Sequence, residues 1–313
     1  MKTNNINWPN GKRFSFTIID DTDNSTVSNI APVYSLLKEC GLITTKTVWV
    51  YPPRDQFKGQ CLKDEQYLEF IRLLIQDGFE IASHGVGSGN FKSEEIEEGF
   101  REFNNLLGFY PNIHINHSRN PDNIYWGYKR FVFPLAWAMK MSKKRRLLFQ
   151  GENPNSQHYW GDLSKLYIKY RRNHVFNGIN TLKQDPCMPA FSKSKEKYAN
   201  YWFSSSDGHT IKEFNALINK KNIDMLEREG GCCIVYTHFA EGFVDETGTV
   251  NKEFEERIKY LKSKDGWFVP VGEILDFLLK TKNKDACASY PYLLGLDLRW
   301  TVQRLIKRLR FGH

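Results

Sequence analysis

The sequence predicts an α/β fold in which βα units close, or nearly close, a barrel of about seven strands. Three observations carry that expectation. Short apolar, β-prone runs alternate with helical segments along most of the chain, the pattern of parallel strands joined by crossovers. No GxGxxG or P-loop marks a nucleotide-binding open sheet. At 313 residues, 41% hydrophobic and 14% aromatic, the chain can bury one large core.

The elements follow in order. Phe14 to Ile19 is the first strand and runs straight into Asp20-Asp21. VYSLLKECGL reads as a helix ending at Gly41. KTVWVYP (46 to 52) is the second strand. DEQYLEFIRLLIQDGF is an amphipathic helix, with Leu68, Ile71, Leu74 and Ile75 at helical spacing and Gly78 at its end. FEIASHG (79 to 85) is the third strand. In SEEIEEGFREFNNLLGF, Ser93 is the expected N-cap, and Glu94 and Glu95 suit the positive end of the helix dipole. A full capping box is absent, because the third residue after Ser93 is Ile96. NIHINHS (112 to 118) is the fourth strand. Later strands are expected at YWFSSSDG (201 to 208) and CCIVYTHF (232 to 239), and a last strand and helix in WFVPVGEILDFLLKT.

Two regions stand apart. Residues 123 to 200 are aromatic, basic and poorly periodic, and read as an insertion over the barrel mouth. The tail reads as a basic amphipathic helix. Leu298, Val302, Leu305, Ile306 and Leu309 form one stripe, surrounded by Arg299, Arg304, Lys307, Arg308 and Arg310, with Trp300 near its start. Such a helix lies in a membrane interface or docks on its own domain. The expected organisation is a barrel over 12–280 and a basic extension over 281–313.

No run of about 18 apolar residues reads as a membrane-spanning helix. MKTNNINWPNGKR lacks the apolar core of a secretory signal, so a cytoplasmic protein is expected. The six cysteines show no CxxC spacing and agree with that expectation. Cys232 and Cys233 read as small core hydrophobes. The net charge of +8 concentrates in Lys140 to Arg146, in Lys169 to Arg172 and at the C-terminus. An acidic, phosphate-bearing partner or plain solvated surface explains each run. No recognition motif accompanies them, so nucleic acid is not expected.

In a βα barrel the chemistry sits at the C-terminal strand ends. Those ends are rich in ligand-type residues here: Asp20-Asp21, His84, then His114, Asn116 and His117, Asp207 with His209 beyond it, and His238. One histidine at a strand end is usually structural. Five strand ends converging on one rim point to a site. Aspartate and histidine suit zinc or a similar divalent ion. A metal also explains two adjacent carboxylates at the end of a buried strand, which otherwise repel and lose hydration. One would bind the cation and the other accept a proton from water, while a charged histidine protonates a leaving group. The competing reading of Asp20-Asp21-Thr22-Asp23 is a helix N-terminal cap cluster.

The order of these motifs resembles the NodB-homology polysaccharide deacetylases of carbohydrate esterase family 4, within the glycoside hydrolase/deacetylase barrel group. TIIDD resembles the family's TFDD, which implies Asp20 as the base and Asp21 as a metal ligand. ASHGVGS resembles HSxxH and implies His84 as a ligand. IVYTH resembles LxxH and implies His238 as the acid, with Asp207 of WFSSSD as its partner. The resemblance spans roughly residues 12 to 280 outside the insertion. It implies a distorted (β/α)7-8 barrel of the NodB-homology type and a divalent metal, zinc with cobalt or nickel as alternatives.

The sequence departs from the family at position 88, where the second metal histidine belongs and Ser88 stands. His117 is the expected replacement, with His114 as the alternative. If Ile113 and Ile115 pack on helices, strand alternation turns His114 and Asn116 to the barrel interior. In HSRNPDN, Arg119 either orients the base or is a loop arginine. Substrate contacts are expected from Asn116, Arg119, Trp202 and Tyr236. Sugar stacking is expected among Trp49, Tyr51, Trp126, Trp160, Trp202 and Phe239.

Together these readings describe a metal-dependent hydrolase that removes an N-acetyl or O-acetyl group from an amino sugar in bacterial surface-polysaccharide metabolism. The expected substrate is a glycan or lipid-linked glycan. The basic tail would hold the enzyme on anionic lipid at the inner membrane face, at about 1 kcal/mol per well-placed Lys or Arg. Ser88 motivates the alternative, a non-catalytic carbohydrate-binding protein on the same barrel.

Overall fold

The computed structural model describes residues 6–141, 148–281 and 287–311, with side chains through 309. Most of the basic run Lys140 to Arg146, and the side chain of Arg310, lie outside the described residues. Eight parallel strands form one sheet: β1 (Phe14–Asp20), β2 (Thr45–Val48), β3 (Glu80–Ser83), β4 (Ile113–His114), β5 (Tyr170–Phe176), β6 (Tyr201–Asp207), β7 (Cys232–Thr237) and β8 (Gly266–Trp267). The order β2-β3-β4-β5-β6-β7-β1 closes into a seven-strand ring, because β1 also pairs β2 through Ile19 with Thr45 and Asp20 with Lys46. β8 pairs the start of β1. The architecture is the expected α/β barrel.

Helices α1 (Val27–Glu39), α2 (Glu65–Gln76) and α3 (Ser93–Leu107) follow the first three strands. Ser93 is the first helical residue rather than the cap; Glu95 accepts the Lys92 N–H in its place. α4 (Leu135–Met141) and α5 (Gly161–Tyr167) separate β4 from β5, and α6 (Thr181–Gln184) precedes β6. α7 (Ile211–Leu217) and α8 (Lys220–Arg228) precede β7, α9 (Lys252–Lys262) precedes β8, and α10 (Val271–Thr281) and α11 (Tyr290–Phe311) end the described chain. No helix among the described residues is long and apolar enough to cross a membrane.

The segment read as an insertion, 123–200, is only partly one. It supplies β5, a full member of the ring between β4 and β6. Its sequence, YRRNHVF, places two arginines in a strand interior, which hides the strand from a hydrophobic pattern. The run Lys169 to Arg172 is accordingly no basic surface patch: Arg171 and Arg172 are buried.

Strand parity sets which residues reach the site. Successive side chains alternate faces. Phe14, Phe16 and Ile18 pack outward with Tyr34 and Leu37 of α1 and Phe254 of α9. Ile19 packs inward with Ile113, Phe203 and Ile234, over a floor made by Trp8, Trp267 and α10. On β1 the even positions therefore face the helices and the odd positions face the barrel interior. Ile113 and Ile115 also face inward. This reverses the premise that these isoleucines pack on helices, so His114 and Asn116 turn outward.

Candidate active site

Asp20, expected as the base, lies on the helix-facing side of β1. Its carboxylate accepts hydrogen bonds from Lys46 Nζ at 2.8 Å, the Tyr34 hydroxyl at 3.0 Å and the Phe239 N–H at 2.9 Å. Asp20 and Lys46 are both fully buried. Burial favours a neutral Lys46, but Asp20 outweighs it and raises the ammonium's pKa. The pair belongs to the barrel's closing seam.

Asp21 has the opposite parity and points inward, where Arg172 of β5 clamps it. Nη1 reaches Oδ1 at 3.1 Å and Nη2 reaches Oδ2 at 2.5 Å. Burial opposes ionisation of Asp21, but Arg172, then His84 and His238, lower its pKa below the usual range. The guanidinium in turn lies 4.5 Å from the centre of the Tyr236 ring.

The carboxylate among the histidines is Asp23. Its Oδ1 lies 3.4 Å from His84 Nε2 and 3.3 Å from His117 Nε2, and its Oδ2 lies 3.3 Å from His238 Nε2. Asp23 thus occupies the place expected of Asp21. His117, not His114, joins His84. Ligand atoms of Asp23, His84 and His117 all lie within 4.8 Å of one another. Burial resists the charge on Asp23, yet His84, His117 and His238 hold its carboxyl well below the ordinary value. For His238, burial alone would favour the neutral ring, but Asp23, Asp21 and Asp20 raise its pKa to about 9. Its Nδ1 faces the His209 carbonyl at 3.3 Å, which leaves Nε2 toward Asp23.

The three-residue cluster fits a divalent cation. Asp23 Oδ1 and His117 Nε2 are buried and make no aligned hydrogen bond. His117 Nδ1 lies 3.0 Å from Asn120 Oδ1. The Asn120 amide is itself oriented, accepting from the Gly89 N–H at 2.9 Å and donating to the Gly87 carbonyl at 2.8 Å. Facing an oxygen that only accepts, Nδ1 carries a proton; burial alone would favour the neutral ring, but Asp23 raises the His117 pKa, and Nε2 is the ring nitrogen available to a cation. Trp49 stacks beside His84, and Phe57, half-buried, stands edge-on to His117 at 4.8 Å.

The remaining predicted residues are dispersed. Ser88 donates to Asp55 at 2.8 Å, so position 88 contributes to the adjoining loop. His114 Nδ1 pairs with the Ser83 hydroxyl at 3.1 Å in the outer layer, and burial and the nearby Arg171 keep the ring neutral. Asn116 accepts from Arg171 and donates to the Ile124 carbonyl. Arg119 is exposed and donates to Gln56; Arg172 is the arginine on the inward carboxylate. Asp207 meets Lys307 of α11 at 2.8 Å, and among the described residues no ion pair joins it to His238. Tyr236 contacts the site through Arg172 and bonds His209 Nδ1 at 2.7 Å. Trp49, Trp160, Trp202 and Phe239 are core residues, whereas Tyr51 and Trp126 keep partial exposure.

Asp23, Arg172 and Asn120 were not among the expected site residues. Strand parity is the signal that selects Asp21; Asp23 sits three residues from Asp20 in plain view, but in the turn beyond β1, and its distances to the histidines reveal it. Asn120 carries no sequence signal of its own; only its distance from His117 reveals it.

No protein-family model matches the sequence, and no curated protein matches it significantly. Solved structures do match. The Puue allantoinase aligns with a TM-score of 0.55 and 12% identity, over 88% of this chain and 93% of its own. A candidate polysaccharide deacetylase from Mycobacterium smegmatis aligns with a TM-score of 0.51 and 12% identity, over 90% and 95%. A probable polysaccharide deacetylase from Pseudomonas aeruginosa gives 0.51 and 13%, over 88% and 93%. At these identities the likeness is one of fold, and it covers nearly the whole of each chain. The chain therefore has the barrel fold of the polysaccharide deacetylases, with an Asp-His-His cluster, a clamped aspartate and a further histidine at the C-terminal end of its strands.

Proposed function

We propose that the protein is a metal-dependent hydrolase that removes an acyl group, in the first instance N-acetyl, from an amino sugar. The observation that supports this reading is the grouping of Asp23, His84 and His117, with buried ligand atoms left unbonded, beside Asp21 and His238. A zinc-type ion bound there would supply Lewis acidity at the acyl carbonyl and would acidify the attacking water.

The chain's own groups do the rest. Arg172 keeps Asp21 ionised and fixes both its oxygens, so Asp21 is ready to accept the proton of the attacking water. His238, favoured as imidazolium, donates its Nε2 proton to the departing nitrogen as the C–N bond breaks. The products are acetate and the free amino sugar, so every atom of substrate and water is accounted for. An amide is the better match to His238 than an ester, because an amine departs only when protonated. Amino sugar as the substrate class rests on the shared fold and on the half-buried Phe57 beside His117, a ring on which a sugar face can stack.

His117 favours this reading over the non-catalytic one: its Nε2 lies 3.3 Å from Asp23 Oδ1 and would stand in for the ligand missing at Ser88.

The test is metal content together with turnover. Wild-type protein purified without chelator should carry about one zinc-like ion per chain and release acetate from N-acetylglucosamine oligomers. Protein that takes up neither zinc nor cobalt nor nickel would refute the reading. Arg172→Lys, which loses the two-pronged contact, should keep its metal while turnover falls on the order of tenfold or more. Asn120→Ala should weaken metal affinity about 10- to 100-fold without removing a ligand, as measured by competition with a chromophoric chelator.

A further inference from the structure

Helix α11 is docked the opposite way round from its hydrophobic pattern. At 3.6 residues per turn, Leu296, Trp300 and Lys307 share one face, and Leu298, Val302, Leu305 and Leu309 share the opposite one. The first face is buried. Leu296 and Trp300 pack with Phe131 and Phe176, Asp297 bonds His174 at 2.8 Å, and Lys307 bonds Asp207 and Glu213. The apolar stripe points outward, with exposures from 47% at Ile306 to 89% at Leu309.

Helix α4 packs beside α11 and carries exposed apolar residues of its own. Its Leu135, Ala136 and Met139 pack into the same Leu296–Trp300 cluster. Phe133 just before it, and Trp137 and Met141 on its other side, are 60% or more exposed. This many exposed large apolar side chains on two packed helices is unusual on a free protein and marks a docking face.

Charge identifies the occupant. Lys140, Arg299 and Arg308 are exposed around the apolar residues. The sequence from 131 to 148 contains no acidic residue, and between 287 and 309 the single one, Asp297, is buried. A second copy docked face to face would bring these cations together without compensating carboxylates. An anionic lipid surface meets both demands: its headgroups neutralise the cations, and its acyl boundary takes up Leu, Val, Phe and Trp side chains. We propose that α4 and α11 together form a face that lies in the headgroup layer of an anionic bilayer. The inner side of the same helix touches Asp207 at the end of β6, so the barrel mouth would open beside the lipid. This inference stands independently of the chemistry proposed for the site.

The experiment is sedimentation of the full chain with phosphatidylcholine vesicles, with and without phosphatidylglycerol. Wild type should pellet only with the anionic vesicles. Leu305→Asp/Leu309→Asp should bind roughly tenfold more weakly or less, and Trp137→Ser, on the other helix, should repeat the loss. Lys140→Gln and Arg308→Gln should each weaken binding about fivefold at low salt, with the difference fading at high salt. Wild type that stays in the supernatant with both vesicle types would overturn the proposal, as would undiminished binding by both apolar variants. A solution dimer that Leu305→Asp/Leu309→Asp dissociates would also overturn it and assign the face to a second copy.

Discussion

Asp23→Ala is expected to lose the divalent metal proposed for the cluster, whereas Asp21→Asn keeps that metal and loses turnover. Asp23 is the carboxylate that three imidazoles approach within 3.4 Å, while Asp21 is held by Arg172. Removing a direct ligand should weaken metal affinity by more than the ~10- to 100-fold typical of supporting residues. Replacing a general base should cost about 10²- to 10⁴-fold in kcat and leave metal content unchanged. Elemental analysis and acetate release on the same preparations separate the two. Loss of metal from Asp21→Asn and not from Asp23→Ala would return the ligand role to Asp21. Asp20→Asn should leave metal content at the wild-type level.

The second large effect is on stability. Lys46→Met is expected to destabilise the fold by about 3–5 kcal/mol, because it leaves Asp20 as a buried, uncompensated charge. The Tyr34 hydroxyl and the Phe239 N–H still reach that carboxylate, but neither neutralises it. Asp20→Asn/Lys46→Met should recover more than half of the loss, since the introduced amide oxygen would still accept the Phe239 N–H and no charge remains. Urea midpoints of the single and double variants provide the measurement. A double variant as unstable as Lys46→Met would show that the ion pair itself, and not the orphaned charge, holds the seam.

The barrel was legible in the sequence because most strands carry apolar runs bounded by turns and helices. β1, β6 and β7 needed nothing else. β5 escaped because Arg171 and Arg172 interrupt its pattern, and those arginines are tolerated inside only because Asn116, Ser164 and Asp21 receive them. The gathering of ligand-type residues at the C-terminal strand ends was legible for the same reason as the barrel. The assignment of individual carboxylates was not, because matching TIIDD to a DD motif overrides the period of two. Phe14, Phe16 and Ile18 pack on helices, so Asp20 must do so as well and Asp21 turns inward; Asp23, in the turn beyond the strand, is placed by its distances to the histidines. The choice between His114 and His117 turned on the same parity, with the two isoleucines facing the interior rather than the helices. The tail helix had its stripe read correctly; which side of it meets the barrel depends on Trp300 and Lys307, whose partners are distant in sequence.

The pairing of β1 also has a consequence for how the chain is made. β1 is synthesised well before two strands it pairs with, β7, which begins at Cys232, and β8, which begins at Gly266. One edge of an apolar strand thus stays without its partner until β7 is made, a state in which strands pair with the wrong chain. A nascent product that stops before Cys232 would hold Asp23, His84 and His117 but lack His238 and the strand that closes the ring. Premature chains should therefore depend on chaperones to remain unaggregated, and His238 would join Asp23, His84 and His117 late, as one event with closure of the barrel.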